Sequence, residues 1–289
     1  MPTKSSAQLP TGCVPKSGRT RPRRLNQTQL PKKPTSPATH QNRTKVPLLE
    51  ARNLVKNFGA RRVVDGASFF VEPGEIVGLL GRNGAGKTTS FRMAIGMLEA
   101  DEGEVHFDDR DITKQPMHRR ARFGMGYLAQ EPSVFRGMTV LENLLAVLEL
   151  HEPTAAQRKN KARELIERFG LRHKAEDLAE TCSGGERRRL EIARAMACKP
   201  RLLLLDEPFA AVDPHTVEEL QGEVRRLAKN GIAILVTDHN VQQTLRICDR
   251  AYILHEGRNL AEGAPKDLIN DAVVRQAYLA STFRGDEFD

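Results

Sequence analysis

Residues 81–88 read Gly-Arg-Asn-Gly-Ala-Gly-Lys-Thr and satisfy the pattern GxxxxGK[ST]. Glycines at the first, fourth and sixth places let the backbone wrap tightly and aim successive N–H groups at phosphate oxygens. Asn83, Gly84, Ala85 and Gly86 form the cradle, and Lys87 is spaced to reach the β and γ phosphates of a nucleotide. Thr88 supplies a hydroxyl for Mg²⁺, with Thr89 beside it at the same phosphate-facing helix start. A tight turn ending by chance in Lys-Thr is the plain alternative, and it does not require a buried strand before it and a helix after it.

A second chemical pair is Asp206-Glu207, directly behind Leu202-Leu203-Leu204-Leu205. An acid at the C-terminal end of a buried parallel strand sits where such sheets bind ligands. Asp206 is placed to hold Mg²⁺ through water, and Glu207 to orient or deprotonate an attacking water. As an isolated dipeptide these acids would be surface charge; four leucines and an upstream phosphate loop argue for chemistry.

The elements that must position these groups follow from the apolar pattern. Strands are expected at 63–71, 75–80, 125–129, 201–206 and 232–237. Helices are expected from the glycine loop to about Gly96, and over 140–150, 155–169, 187–198 and 214–229. Alternating strands and helices imply an α/β fold with a mainly parallel sheet covered on both faces. Helices crowd the stretch from about 131 to 198, which predicts a helical subdomain inserted into that core.

Charge divides the chain differently. The 289 residues carry 45 Lys plus Arg against 37 Asp plus Glu. Residues 1–47 hold 10 of the bases, none of the acids and 8 of the 16 prolines, so the remainder is 35 basic against 37 acidic. The first 47 residues lack the apolar surface to offset the entropy of ordering and read as a disordered basic tail. No apolar run nears the roughly 20 residues that span a bilayer, and no apolar h-region of a secretory signal opens the chain. The acid-free start has some transit-peptide character, but its prolines spoil an amphipathic helix. Cys13, Cys182, Cys198 and Cys248 are scattered without CxxC spacing, as in a reduced cytosolic protein.

Cys182-Ser183-Gly184-Gly185-Glu186, with the phosphate loop and the Asp-Glu strand end, resembles the signature of ABC-transporter ATP-binding subunits. The resemblance runs from Leu48 to Phe283 and implies a P-loop NTPase, RecA-like core with an antiparallel β subdomain and the inserted helical subdomain. It implies ATP and Mg²⁺ as ligands and a head-to-tail homodimer, in which Ser183, Gly184 and Gly185 of one subunit contact the ATP held by the other. Cys182 departs from the family's usual Leu, at a position that packs instead of touching nucleotide. By the same resemblance Phe58 stacks on adenine, or is only a half-buried strand residue. Gln130 senses Mg²⁺ and the attacking water, or is a surface glutamine. Asp213 lines the dimer interface, or only caps a helix. His239 contacts the γ-phosphate, or is structural.

Within the family the runs 116–122, 126–131, 134–136, 185–189, 206–210 and 237–241, with Tyr278-Leu279 and Phe283, look like the ATPases of lipopolysaccharide export. That resemblance implies a dimer on the cytoplasmic face of the inner membrane, beneath integral-membrane subunits resembling LptF and LptG. Lipopolysaccharide is then cargo, not a direct ligand, and Phe135 and Arg136 lie in the groove that receives the membrane pair, or are ordinary packing and a solvated charge. The ATPase of a branched-chain amino-acid importer is the alternative within the same chemistry. A nucleic-acid-binding ATPase is the alternative from the basic tail, but charge alone gives non-specific affinity and no aromatic residue is interleaved for base stacking. The tail could also be drawn to anionic lipid.

Overall fold

The computed structural model describes residues 46–210 and 212–279. The basic tail, apart from its last two residues, lies outside the described residues, as do Cys13, Ala211, Phe283 and the C-terminal stretch 284–289.

Two sheets frame the molecule. The first joins β1 (Leu49–Phe58), β2 (Arg61–Val71), β4 (Glu102–Phe107) and β5 (Arg110–Asp111) in the order β2-β1-β4-β5, every pair antiparallel. The second has the order β10-β9-β3-β8-β7-β6, built from β3 (Ile76–Gly81), β6 (Met125–Leu128), β7 (Leu202–Asp206), β8 (Ala233–Thr237), β9 (Arg250–His255) and β10 (Arg258–Gly263). Its strands run parallel except for β10, which turns back along β9. The stretch expected as strand 63–71 therefore belongs to the antiparallel sheet, as β2, and not to the parallel core.

Strand alternation explains the unbroken apolar runs. Leu202 and Leu204 of β7, with Ala233 and Leu235 of β8, face one core; Leu203, Leu205, Ile234 and Val236 face the opposite one. A strand buried on both faces has no polar side to show. Helix α1 (Lys87–Ile95) lies in the first core, where Phe91, Met93, Ala94 and Ile95 meet Leu49, Val64 and Phe69 of one sheet and Val77 and Leu79 of the other. Its C-terminal end is met by α2 (Met117–Arg122), whose buried Arg120 donates to the Met93 and Ala94 carbonyls.

The second core is covered by α3 (Val140–Leu148), α4 (Ala155–Arg168), α5 (Gly184–Ala197) and α6 (Pro214–Lys229). Helices α3, α4 and α5 each begin with a reciprocal capping box, at Thr139/Glu142, Thr154/Gln157 and Ser183/Glu186. Such a cap is worth about 1 kcal/mol per helix. The Ser183 cap starts α5 at Gly184, three residues before the expected Arg187, because the two glycines are helical once Ser183 Oγ accepts the Glu186 N–H. Short helices α7 (Val241–Leu245) and α8 (Pro265–Asn270) close the far edge. Among the described residues no helix is long and apolar enough to cross a membrane.

Candidate active site

The glycine loop joins β3 to α1, and its conformation excludes larger residues. Gly81 has φ +150°, and a Cβ there would lie 2.3 Å from the Leu254 carbonyl oxygen of the neighbouring strand. Gly86, at φ +97°, occupies the N-cap of α1 without a side chain of its own to satisfy the helix start. The first N–H groups of α1 are thus left for an anion, at the positive end of the helix. Lys87, buried at the head of α1, donates its Nζ to the carbonyls of Gly81 at 2.7 Å and Arg82 at 3.3 Å. Burial lowers its pKa, against the opposing pull of Glu207, Asp238 and Asp206. An ammonium that feels the charge of those acids and donates to two backbone carbonyls suits an incoming phosphate.

Three side chains from distant parts of the sequence converge beyond the end of β7. Gln130 Nε2 donates to Glu207 Oε2 at 2.9 Å, and His239 Nδ1 lies 3.2 Å from that same oxygen. Each residue follows the C-terminal end of a strand of the parallel sheet: β6, β7 and β8 respectively. Glu207 itself has φ +46°, a left-handed conformation disfavoured for a side-chain-bearing residue, and its N–H donates to the Thr237 carbonyl at 2.8 Å. Strain of this kind collects at functional sites.

Asp206 is buried at the strand end, and burial raises its pKa while a hydrogen bond from Tyr127 opposes that rise. The Tyr127 hydroxyl donates to Asp206 Oδ2 at 3.3 Å, and its own pKa is pushed up to about 12, chiefly by burial, so it remains a donor. Asp238 is fully buried, with a raised pKa caused first by burial, and its Oδ1 lies 3.3 Å from His239 Nδ1. Sequence reasoning passed over both Tyr127 and Asp238. The available signals were a polar ring within an apolar strand and an acid directly before the histidine.

The remaining candidates make contacts of their own. Ser183 caps α5, while Asp213 caps α6 by accepting the Thr216 N–H at 3.0 Å, so its local helix-capping role is realised. The two helix starts are neighbours: a Cβ on Gly185 would come within 2.3 Å of Thr216 Cγ2. Gly184 and Ser183 are exposed, and Cys182 packs in the second core at 3% exposure. Phe58 is 52% exposed at the end of β1, next in the chain to Lys56 and Asn57, whose Nζ and backbone N–H donate to Asp101. Phe135 and Arg136 are exposed on the loop before α3, and the Arg194 guanidinium stacks 4.3 Å from the Phe135 ring centroid. Thr88 and Thr89 are half-buried in the first turn of α1.

Known proteins resemble this chain in sequence and fold. The ABC transporter family matches residues 64–210. The chain is 49% identical over 238 residues to the lipopolysaccharide export system ATP-binding protein LptB of Haemophilus influenzae, covering 82% of this chain and 99% of that one. It is 48% identical to LptB of Escherichia coli K12 over 82% of this chain and 98% of that one. Among solved structures, the ADP conformation of an ATP-binding cassette of an ABC transporter superposes with a TM-score of 0.74 at 29% identity, covering 81% of this chain and 99% of the other. With the family matched over residues 64–210 and about half the residues identical to LptB over most of the chain, the chain belongs to the ABC transporter family as one of its ATP-hydrolysing, ATP-binding subunits.

Proposed function

We propose that this subunit works as a head-to-tail homodimer on the cytoplasmic face of the inner membrane, where ATP hydrolysis powers lipopolysaccharide export through integral-membrane partners resembling LptF and LptG. The observation that carries the catalytic part is the shared Glu207 oxygen, bonded by Gln130 and faced by His239. In this reading Glu207 receives the proton of the attacking water, Gln130 holds that water and reports on the metal side, and His239 meets the γ-phosphate. Phosphoryl transfer asks mainly for such positioning and charge stabilisation. The near 49% identity to LptB supports the cargo assignment.

The residues suit MgATP. Among the described residues no group of three or more His, Cys, Asp or Glu side chains is arranged to hold a metal ion by itself. Asp206 with Thr88 and Gln130 is the sparse donor set that fits Mg²⁺, an ion that retains waters and takes phosphate oxygens. When bound it would neutralise charge on the transferring phosphoryl group. Lys87, Asn83 and the amides of Gly84 to Thr89 bind and orient the phosphates, and Phe58 offers an exposed ring for adenine. Ser183, Gly184, Gly185 and Asp213 form the surface offered to the second subunit's nucleotide, and Phe135 and Arg136 the surface offered to the membrane pair.

The domain plan in this proposal is a basic tail over 1–47, the ATP-binding cassette over 48–283 and a short tail over 284–289. A pull-down from native membranes tests the partner: recovery of LptF- and LptG-like subunits supports export, whereas an amino-acid permease pair overturns it. Deleting residues 1–45 should leave ATP hydrolysis and export unchanged.

A further inference from the structure

One buried guanidinium on helix α5 ties several segments of the site together. Arg188 is 6% exposed, five residues beyond Ser183, and its donors reach acceptors on three separate segments. Nη1 donates to the Ala129 carbonyl at 2.8 Å and to Glu191 Oε2 at 2.8 Å; Nε donates to the Pro208 carbonyl at 3.1 Å. Nη2 donates to the carbonyls of Asp206 and Glu207, both at 3.3 Å. The residues so gripped are the one before Gln130 and the strand end that carries Asp206 and the left-handed Glu207.

Glu191, 4% exposed, completes the joint. Its second oxygen, Oε1, accepts the Ser133 N–H at 2.7 Å. One helical turn further, Arg194 donates to the Ser133 carbonyl and stacks beneath Phe135. A single face of α5 thus holds loop 129–135 at both ends while its N-terminus presents Ser183.

We infer that Arg188, paired with Glu191, is a positioning residue for hydrolysis: it holds Glu207 in its left-handed conformation and fixes loop 129–135, so that Gln130 and Glu207 keep a common register with the signature helix. Only arginine supplies five donors in a planar fork, and lysine, a point charge, cannot serve the same acceptors. A displacement of about 1 Å in a catalytic group costs on the order of 100-fold in rate. The inference rests on the reading of the chain as an ATP hydrolase.

The test compares the purified full chain with Arg188→Lys, measuring kcat and KM for ATP together with backbone hydrogen exchange without nucleotide. The expected result is a kcat lowered about tenfold or more with KM changed less than about twofold. Exchange should quicken at 129–136 and 206–209 and stay unchanged at 81–89. A lowered melting temperature with unchanged kcat per folded molecule would overturn the inference, because a merely structural arginine gives that pattern. Should Arg188→Lys fail to fold, Glu191→Gln gives the same readouts: it removes the paired charge, and unchanged kcat and exchange would again overturn the inference. If the unaltered chain hydrolyses no ATP, the hydrolase reading fails instead, and the exchange pattern alone decides whether Arg188 holds the two segments.

Discussion

Gln130 Nε2 and Glu207 Oε2 are hydrogen-bonded at 2.9 Å although 77 residues separate them in the chain. The bond exists because β6 and β7 are parallel neighbours, with Leu128 opposite Leu205, so the residues just past their ends emerge side by side. Replacing Glu207 with Gln should lower ATP turnover by about 10²–10⁴-fold, the range for loss of a positioned general base. Nucleotide binding should persist, since the phosphate loop is untouched. Phosphate release and fluorescent-nucleotide titration measure the two effects separately, and a fully active Glu207→Gln chain would remove Glu207 from the chemistry.

Tyr127→Phe deletes the hydroxyl that donates to Asp206 Oδ2. Partners that orient a metal-holding carboxylate typically contribute 10–100-fold to metal affinity, and at 3.3 Å this bond belongs near the lower end, about tenfold. The Mg²⁺ concentration needed for half-maximal nucleotide binding should rise by that factor, while metal-free nucleotide binding stays the same. An unchanged Mg²⁺ requirement would assign the hydroxyl to packing alone.

Gly185→Ala tests the junction of the two helix starts. Alanine normally favours a helix, but here its Cβ would meet Thr216 Cγ2 at 2.3 Å. Overpacking of this kind costs about 1–3 kcal/mol, measurable by urea denaturation. Adding Thr216→Ser removes the opposing methyl and should recover at least half the loss. If Gly185→Ala alone is as stable as the parent chain, the contact is not as close as described.

Asp101 links acid sensitivity to the placement of Phe58. The hydrogen bond from Lys56, then that from the Asn57 amide, holds its carboxyl below the usual carboxylate range. With a depressed folded-state pKa, its stabilising contribution is full above the unfolded value, about 3.9, and is lost as pH falls through the folded value. Asp101→Asn should therefore melt lower than the parent at neutral pH, and the two melting curves should converge in acid. A constant gap across that range would show that its charge plays no part.

Much of the proposed chemistry is legible in local sequence. The phosphate loop declares itself because glycines, Lys87 and Thr88 must be contiguous to wrap one anion. Asp206 and Glu207 are legible because a strand buried on both faces must be apolar throughout, so an acid at its end stands out. Helix α6 is legible at its observed bounds, Pro214–Lys229, because Asp213 and Pro214 mark its start and its apolar stripe is regular. Three features needed the tertiary structure. β2 joined the antiparallel sheet because its partner β1 pairs through a hairpin, and no periodicity says which sheet a strand enters. Tyr127 and Arg188 were invisible as site residues because the strand-end groups they reach lie 79 and 18 to 59 residues away, and only parallel strand order brings those groups together. The sequence alone therefore determined which groups are proposed to meet phosphate, being adjacent in the chain; the fold decided which groups lie against them, since buried donors take their acceptors from whatever backbone the sheet places beside them.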